Sequence, residues 1–115
     1  MASDKMVELV KKLVQRTVEG KVPWEQTESD GVFQAAFPGY AVRIFSRLEE
    51  NRFDYVLCLF NEEGVKIEEV TDVDLRDKIP AAFLIMKEMH DAARRKAMGV
   101  EEALDRILAE LDKEN

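Results

Sequence analysis

His90 is the chain's single histidine and Cys58 its single cysteine. A histidine can serve as general base, proton shuttle or metal ligand. Each role needs a second group beside it, either an orienting carboxylate, a nucleophile or further ligands. His90 falls on the apolar stripe Phe83, Met86, Met89, His90, Ala93 and Ala97. Its neighbours Glu88 and Asp91 project elsewhere on a helix. It therefore reads as a packed, partly exposed structural residue. Cys58 sits mid-strand among bulky apolar residues, whereas a reactive thiolate needs cationic, accessible surroundings. Arg43, placed opposite it by the strand register, is the one feature favouring reactivity. A buried small hydrophobe is the plainer reading.

The remaining chemistry-bearing residues are equally sparse in pattern. Glu68, Glu69, Asp72, Asp74 and Asp77 cluster, but without the glycine and terminal bidentate glutamate of a calcium loop. They read as a solvated acidic connector, with Asp72 or Asp74 free to cap a turn. Glu49-Glu50 and Glu62-Glu63 belong to separate turns and do not pair as acid and base. Glycines 20, 31, 39, 64 and 99 are isolated breakers, not a phosphate-cradling loop. Arg94-Arg95-Lys96 is the densest basic run. A nucleic-acid site would need more charge and exposed aromatics. No catalytic residue, metal site or cofactor is assigned.

The 115 residues suffice for one domain with a real core, and 46% hydrophobic with 36% charged residues is a globular balance. A formal charge of -7 argues against direct nucleic-acid binding and suits a protein partner. One cysteine allows no internal disulfide, which fits a reducing cytoplasm. The opening Met1-Ala2-Ser3-Asp4-Lys5 runs into an amphipathic pattern rather than a secretion signal. The apolar runs fall far short of the about 20 residues that span a bilayer.

The elements that must carry these residues are an N-terminal helix, an antiparallel sheet and two C-terminal helices, an α+β arrangement over 1-115. Met6, Leu9, Val10, Leu13, Val14, Thr17 and Val18 set a helix over 4-19, started by Ser3 or Asp4 and stopped by Gly20. Residues 22-70 read as a five-stranded antiparallel meander. A two-residue turn at Asp30-Gly31 pairs Gln26 with Ala35 and Trp24 with Phe37. Pro38-Gly39 pairs Phe37 with Tyr40, Ala35 with Val42 and Phe33 with Ile44. Glu50-Asn51 pairs Leu48 with Phe53, Ser46 with Tyr55 and Ile44 with Leu57. It also sets Arg47 against Asp54 as a cross-strand charge pair. A three-residue loop, Glu62-Glu63-Gly64, returns Val65 and Ile67 to the same apolar face. Helices follow over 79-98, with Pro80 in the first turn, and over 100-111. The second carries Val100, Leu104, Ile107, Leu108 and Leu111 on one side.

The run Gly20-Lys21-Val22-Pro23-Trp24-Glu25-Gln26-Thr27, with Ala93-Arg94-Arg95 before Gly99-Val100, resembles small uncharacterised bacterial proteins with a Gly-Lys-x-x-Trp-Glu-x-Thr opening. The resemblance implies the same helix, meander and C-terminal helices. It implies no activity, and no site residue is carried over from it.

One register decision points to a surface. Opposite the apolar face lie Val32, Ala36, Ala41, Phe45, Val56, Cys58 and Phe60, with Glu25, Thr27, Gln34, Arg43 and Arg47 among them. The strand Tyr55-Val56-Leu57-Cys58-Leu59-Phe60 is apolar on both sides. A sheet with one wet face alternates more cleanly. The back must be covered by a helix of the same chain, such as 100-111, by a second copy or by another protein. The first expectation is a non-enzymatic protein-binding or regulatory module, homodimeric, using Arg43, Phe45, Arg47, Val56, Cys58 and Phe60. The second is a small-ligand or catalytic pocket of Trp24, Tyr40, Tyr55 and His90 under the helices. The third is an acidic nucleic-acid mimic or inhibitor of a basic protein, since residues 49-78 hold ten Asp/Glu against four Lys/Arg.

Overall fold

The architecture comes from a computed structural model, which describes residues 2-113. The first helix, α1 (Asp4–Val18), starts where the Ser3 hydroxyl accepts the amide of Met6 at 3.2 Å. It stops at Gly20, whose φ of +77° lets the Lys21 amide fold back to the Arg16 carbonyl at 2.9 Å. Five strands follow in consecutive antiparallel order: β1 (Glu25–Gln26), β2 (Phe33–Phe37), β3 (Tyr40–Glu49), β4 (Arg52–Asn61) and β5 (Lys66–Thr71). Then come a short α2 (Asp72–Leu75), α3 (Ala82–Ala97) and α4 (Val100–Leu111). The chain is α+β, with an N-terminal helix before the five-stranded antiparallel sheet in sequence and the C-terminal helices after it.

The central register is that of the turn chemistry. Phe37 faces Tyr40, Phe33 faces Ile44, Ile44 faces Leu57 and Leu48 faces Phe53. Glu50 and Asn51 both take positive φ, 44° and 71°. That is what a two-residue hairpin needs to match the strand twist.

Two registers depart from expectation. Asp30-Gly31 is still a turn, closed by the Val32 amide on the Ser29 carbonyl at 3.3 Å. The ladder, however, resumes with Gln26 opposite Phe33 rather than Ala35. Thr27 is the cause. Its hydroxyl donates to the Val32 carbonyl at 2.8 Å and accepts from the Ser29 amide at 3.1 Å, so a side chain takes the place of ladder partners. The slip is two residues, an even number, and Trp24 stays on the inner face.

In β5 the loop holds as expected, with Asn61 Oδ1 accepting the Glu63 and Val65 amides at 3.0 Å each. A bulge then shifts the ladder between Leu59 and Phe60. Val70, not Ile67, becomes the buried residue, whereas Val65 and Ile67 stay 54% and 48% exposed.

The expected acidic connector is partly helical. Thr71 and Asp74 form a reciprocal capping box on α2, at 3.0 and 3.2 Å. The long helix begins at Ala82, not Ile79. The Ile79 amide still bonds back to Leu75 at 2.8 Å, and Pro80 and a left-handed Ala81 (φ 57°) intervene.

The helices α1 and α3 pack against each other, and α3 crosses β1, β2 and β4. Between these layers lie Val10, Leu13, Trp24, Phe33, Ile44, Leu57, Val70, Met86 and Met89, all buried. The α4 helix does not fold across the sheet. None of its residues is buried, and the molecule is drawn out to 59 × 32 × 26 Å.

Candidate functional site

The reverse of the sheet is built by the alternation of β2–β5. Cross-strand rows run Arg43, Cys58, Glu69, then Phe45, Val56, Thr71, then Ala41, Phe60, Lys66. The core cluster that α1 and α3 enclose does not include Val56 or Cys58. These two are nevertheless 0% and 3% exposed. Long polar side chains roof them.

Arg43 lies over the Phe60 ring at 5.5 Å, donates from Nε to Gln34 Oε1 at 2.7 Å and pairs with Glu28 at 3.2 Å. Arg47 reaches Glu49 at 3.2 Å and Glu69 at 3.3 Å. Glu69 also accepts from Lys66 Nζ at 2.9 Å and lies 3.6 Å from Cys58 Sγ. Phe45 and Phe60 stay half-buried beside this roof. Arg47 does not pair with Asp54, although the two are opposite in register. Asp54 is claimed by Arg52 at 3.0 Å. Arg47 Nε is itself buried and, despite the nearby Glu49 oxygen, is not aligned to donate to any acceptor.

Electrostatics follow the geometry. Lys66 first, then Arg47, hold the Glu69 carboxyl below its ordinary range against the cost of burial. Burial first, and the Glu69 charge second, push the Cys58 thiol up to about 11. Arg43 sits opposite Cys58 but is turned to Gln34, Glu28 and Phe60, so Cys58 remains a neutral thiol and not a nucleophile.

At one end of this face a groove of about 540 Å³ opens between the two hairpin turns, with Gln34, Tyr40, Ala41, Arg43 and Phe60 among its walls. Tyr40 belongs here, half-exposed, and apart from Trp24, Tyr55 and His90. Trp24 is 3% exposed, its Nε1 donating to Thr17 Oγ1 at 3.0 Å. Tyr55 and His90 do meet, their ring centres 5.6 Å apart, within an aromatic row completed by Phe33 and Phe83. His90 Nε2 is 2.8 Å from the Gly31 carbonyl, a structural tie between α3 and the β1–β2 loop. The acidic residues have local partners too. Asp72 is buried and accepts the Tyr55 amide at 2.7 Å, and Asp74 caps α2. Among the described residues, no group of three or more His, Cys, Asp or Glu is placed to hold a metal. Nor is any helix among the described residues long and apolar enough to cross a membrane.

Two exposed apolar features escaped sequence reasoning or went beyond it. Leu48 and Phe53, 63% and 58% exposed, face each other beside the Glu50-Asn51 turn, where Phe53 lines a hollow with Val73, Arg76 and Phe83. Their position beside a turn was the available signal. The stripe of α4 was legible as amphipathic, but its isolation was not. No protein-family model, curated protein or solved structure matches this chain.

Proposed function

We propose that this protein is a small non-enzymatic binding module, homodimeric, that receives another polypeptide on the uncovered face of its sheet. One observation carries the reading. The central strand β4 is apolar on both sides, yet the helices pack on one side only. A partner would bury Phe45 and Phe60, use Val56 and Cys58 as a rigid floor, and engage Arg43 and Arg47 at the border. A reducing cytoplasm is the setting we assign, given the lone buried thiol. Acidic mimicry is the weaker reading, because Asp54, Glu69, Asp72 and Asp74 are held in internal pairs and caps.

Photo-crosslinking from position 45 or 60 in living cells tests this. The expected result is a discrete adduct from both positions and none from a control at Glu8. A mass of twice 13.2 kDa identifies a second copy, and any other mass a different protein. No adduct from either position ends the proposal.

A small ligand is a second reading, favoured only by the groove beside Tyr40, Arg43 and Phe60. A ligand bound there raises the melting temperature, and Tyr40→Ala should abolish the rise.

A further inference from the structure

Among the chain's Asp and Asn residues, Asp30 alone is followed by a glycine. A side-chain carboxyl is most open to attack by the next residue's amide nitrogen at such a step, because glycine puts no Cβ in the way. Both residues are exposed, and a Cβ built on Gly31 would meet nothing within 4 Å. Among the described residues the Gly31 amide donates to no backbone or side-chain acceptor, so its nitrogen is free.

The loop around this pair holds it back. The Val32 amide closes on the Ser29 carbonyl at 3.3 Å, and φ is positive at Gly31 (+76°) but not at Asp30. That is the type II pattern, in which the residue at the place of Asp30 takes a ψ of about +120°. A five-membered ring needs the Asp30 Cβ and the Gly31 nitrogen eclipsed about the Cα–C bond. This ψ sets them apart, so the turn must open before the ring can close. The tie that opposes opening from outside the loop on the helix side is His90. Its Nε2 lies 2.8 Å from the Gly31 carbonyl. A carbonyl only accepts, so Nε2 is the nitrogen that carries the proton.

We propose that Asp30-Gly31 is a self-modification site, in which the Gly31 nitrogen closes on the Asp30 carboxyl and His90 gates the reaction by holding the Gly31 carbonyl. The nitrogen forms a bond to Cγ, the Cγ–OH bond breaks, and the hydroxyl leaves with the amide proton as water. Water then opens the imide. Attack at Cγ restores aspartate. Attack at the main-chain carbonyl breaks its bond to the Gly31 nitrogen and leaves isoaspartate, with the chain running through Cβ and Cγ and a free α-carboxylate beside it. The backbone is then one carbon longer, which carries the Gly31 carbonyl away from His90 and unties α3 from the β1–β2 loop. The same loop carries Glu28, the partner of Arg43 at 3.2 Å, so the change reaches the border of the open sheet face. The inference does not rest on what that face binds.

Mass spectrometry on the full chain, incubated near neutral pH beside a free peptide of residues 27-33, is the test. Wild type should pass through a form lighter by one water and end in a product of unchanged mass that an aspartate-specific protease no longer cuts at position 30. It should do so more slowly than the peptide. Asp30→Asn should reach the same product faster, losing ammonia in place of water, and Asp30→Glu should give none. His90→Ala should speed the wild-type reaction by about twofold to tenfold, which is what one lost hydrogen bond adds to local opening. His90→Gln restores a donor and should slow it again, which a merely damaged fold would not do. If wild type and His90→Ala both stay unmodified while the peptide converts, the site is overturned. A wild type as fast as the peptide overturns the gate. So does a His90→Ala rate equal to wild type, or a His90→Gln rate equal to that of His90→Ala.

Discussion

The indole Nε1 of Trp24 donates to the hydroxyl of Thr17 at 3.0 Å, and both residues are nearly sealed from solvent, at 3% and 5% exposed. This bond joins the last turn of α1 to the entry of the sheet. It gives a structural reason for the helix, glycine stop and tryptophan succession in the sequence.

Thr17→Val keeps the shape and removes the acceptor. The indole N–H is then buried without a partner, at a cost of about 1–3 kcal/mol. The urea midpoint should fall with an unchanged slope. Thr17→Ser, which keeps the hydroxyl, should lose less.

Cys58 should be alkylated far more slowly than a free thiol at pH 8, because burial raises its pKa to about 11 and closes access. Glu69→Ala should speed the reaction, since it removes both the neighbouring negative charge and part of the roof.

The same thiol predicts a pH trend. The folded chain holds the proton up to about 11, and the unfolded chain releases it near ~8.5. Between those values the native state binds more protons, so unfolding becomes easier as pH rises. Comparing wild type with Cys58→Ala at pH 8 and pH 10 isolates this contribution from tyrosines and lysines. The wild type should lose more stability between the two.

The bulge in β5 can be read by substitution. Val70→Ala should cost on the order of 2 kcal/mol, as a buried loss of two carbons, because Val70 is 2% exposed. Ile67→Ala should stay within about 0.5 kcal/mol, as surface changes do. A larger cost at Ile67 than at Val70 would mean that the ladder runs without the shift.

His90→Ala should loosen the β1–β2 loop selectively. His90 Nε2 holds the Gly31 carbonyl at 2.8 Å. Amide exchange over residues 27-32 should accelerate, while β3 and β4 amides keep their protection.

From Phe33 to Leu59 the sheet was readable because its turns are encoded residue by residue. Pro38-Gly39 and Glu50-Asn51 fix the backbone angles that set the pairing. The departures arise where a side chain outcompetes the ladder. Thr27 closes its loop through its own hydroxyl, and Glu69 gathers Arg47, Lys66 and Cys58 past the bulge. The first is a side-chain bond within the loop that apolar periodicity does not register, and the second joins residues of separate strands. For the candidate site, the sidedness of Phe45, Val56, Cys58 and Phe60 was legible from alternation alone. The roof of Arg43, Arg47 and Glu69 was not, because it joins residues far apart in sequence. Of the four residues Trp24, Tyr40, Tyr55 and His90, strand alternation assigns Tyr40 the parity of the inner side, but its place at the strand end puts it in the groove between the hairpin turns. Periodicity specifies the first and leaves the second open. It likewise shows that α4 is amphipathic without showing that α4 stands away from its own sheet.

The two outermost strands have a consequence for the protein in bulk. Only two residues form β1, and β5 is interrupted by its bulge and studded with Lys66, Glu68 and Glu69. Neither of these two strands offers a passing extended peptide a long straight row of unpaired amides. Lateral stacking through these two strands is thereby opposed by backbone shape, an obstacle that added salt cannot screen.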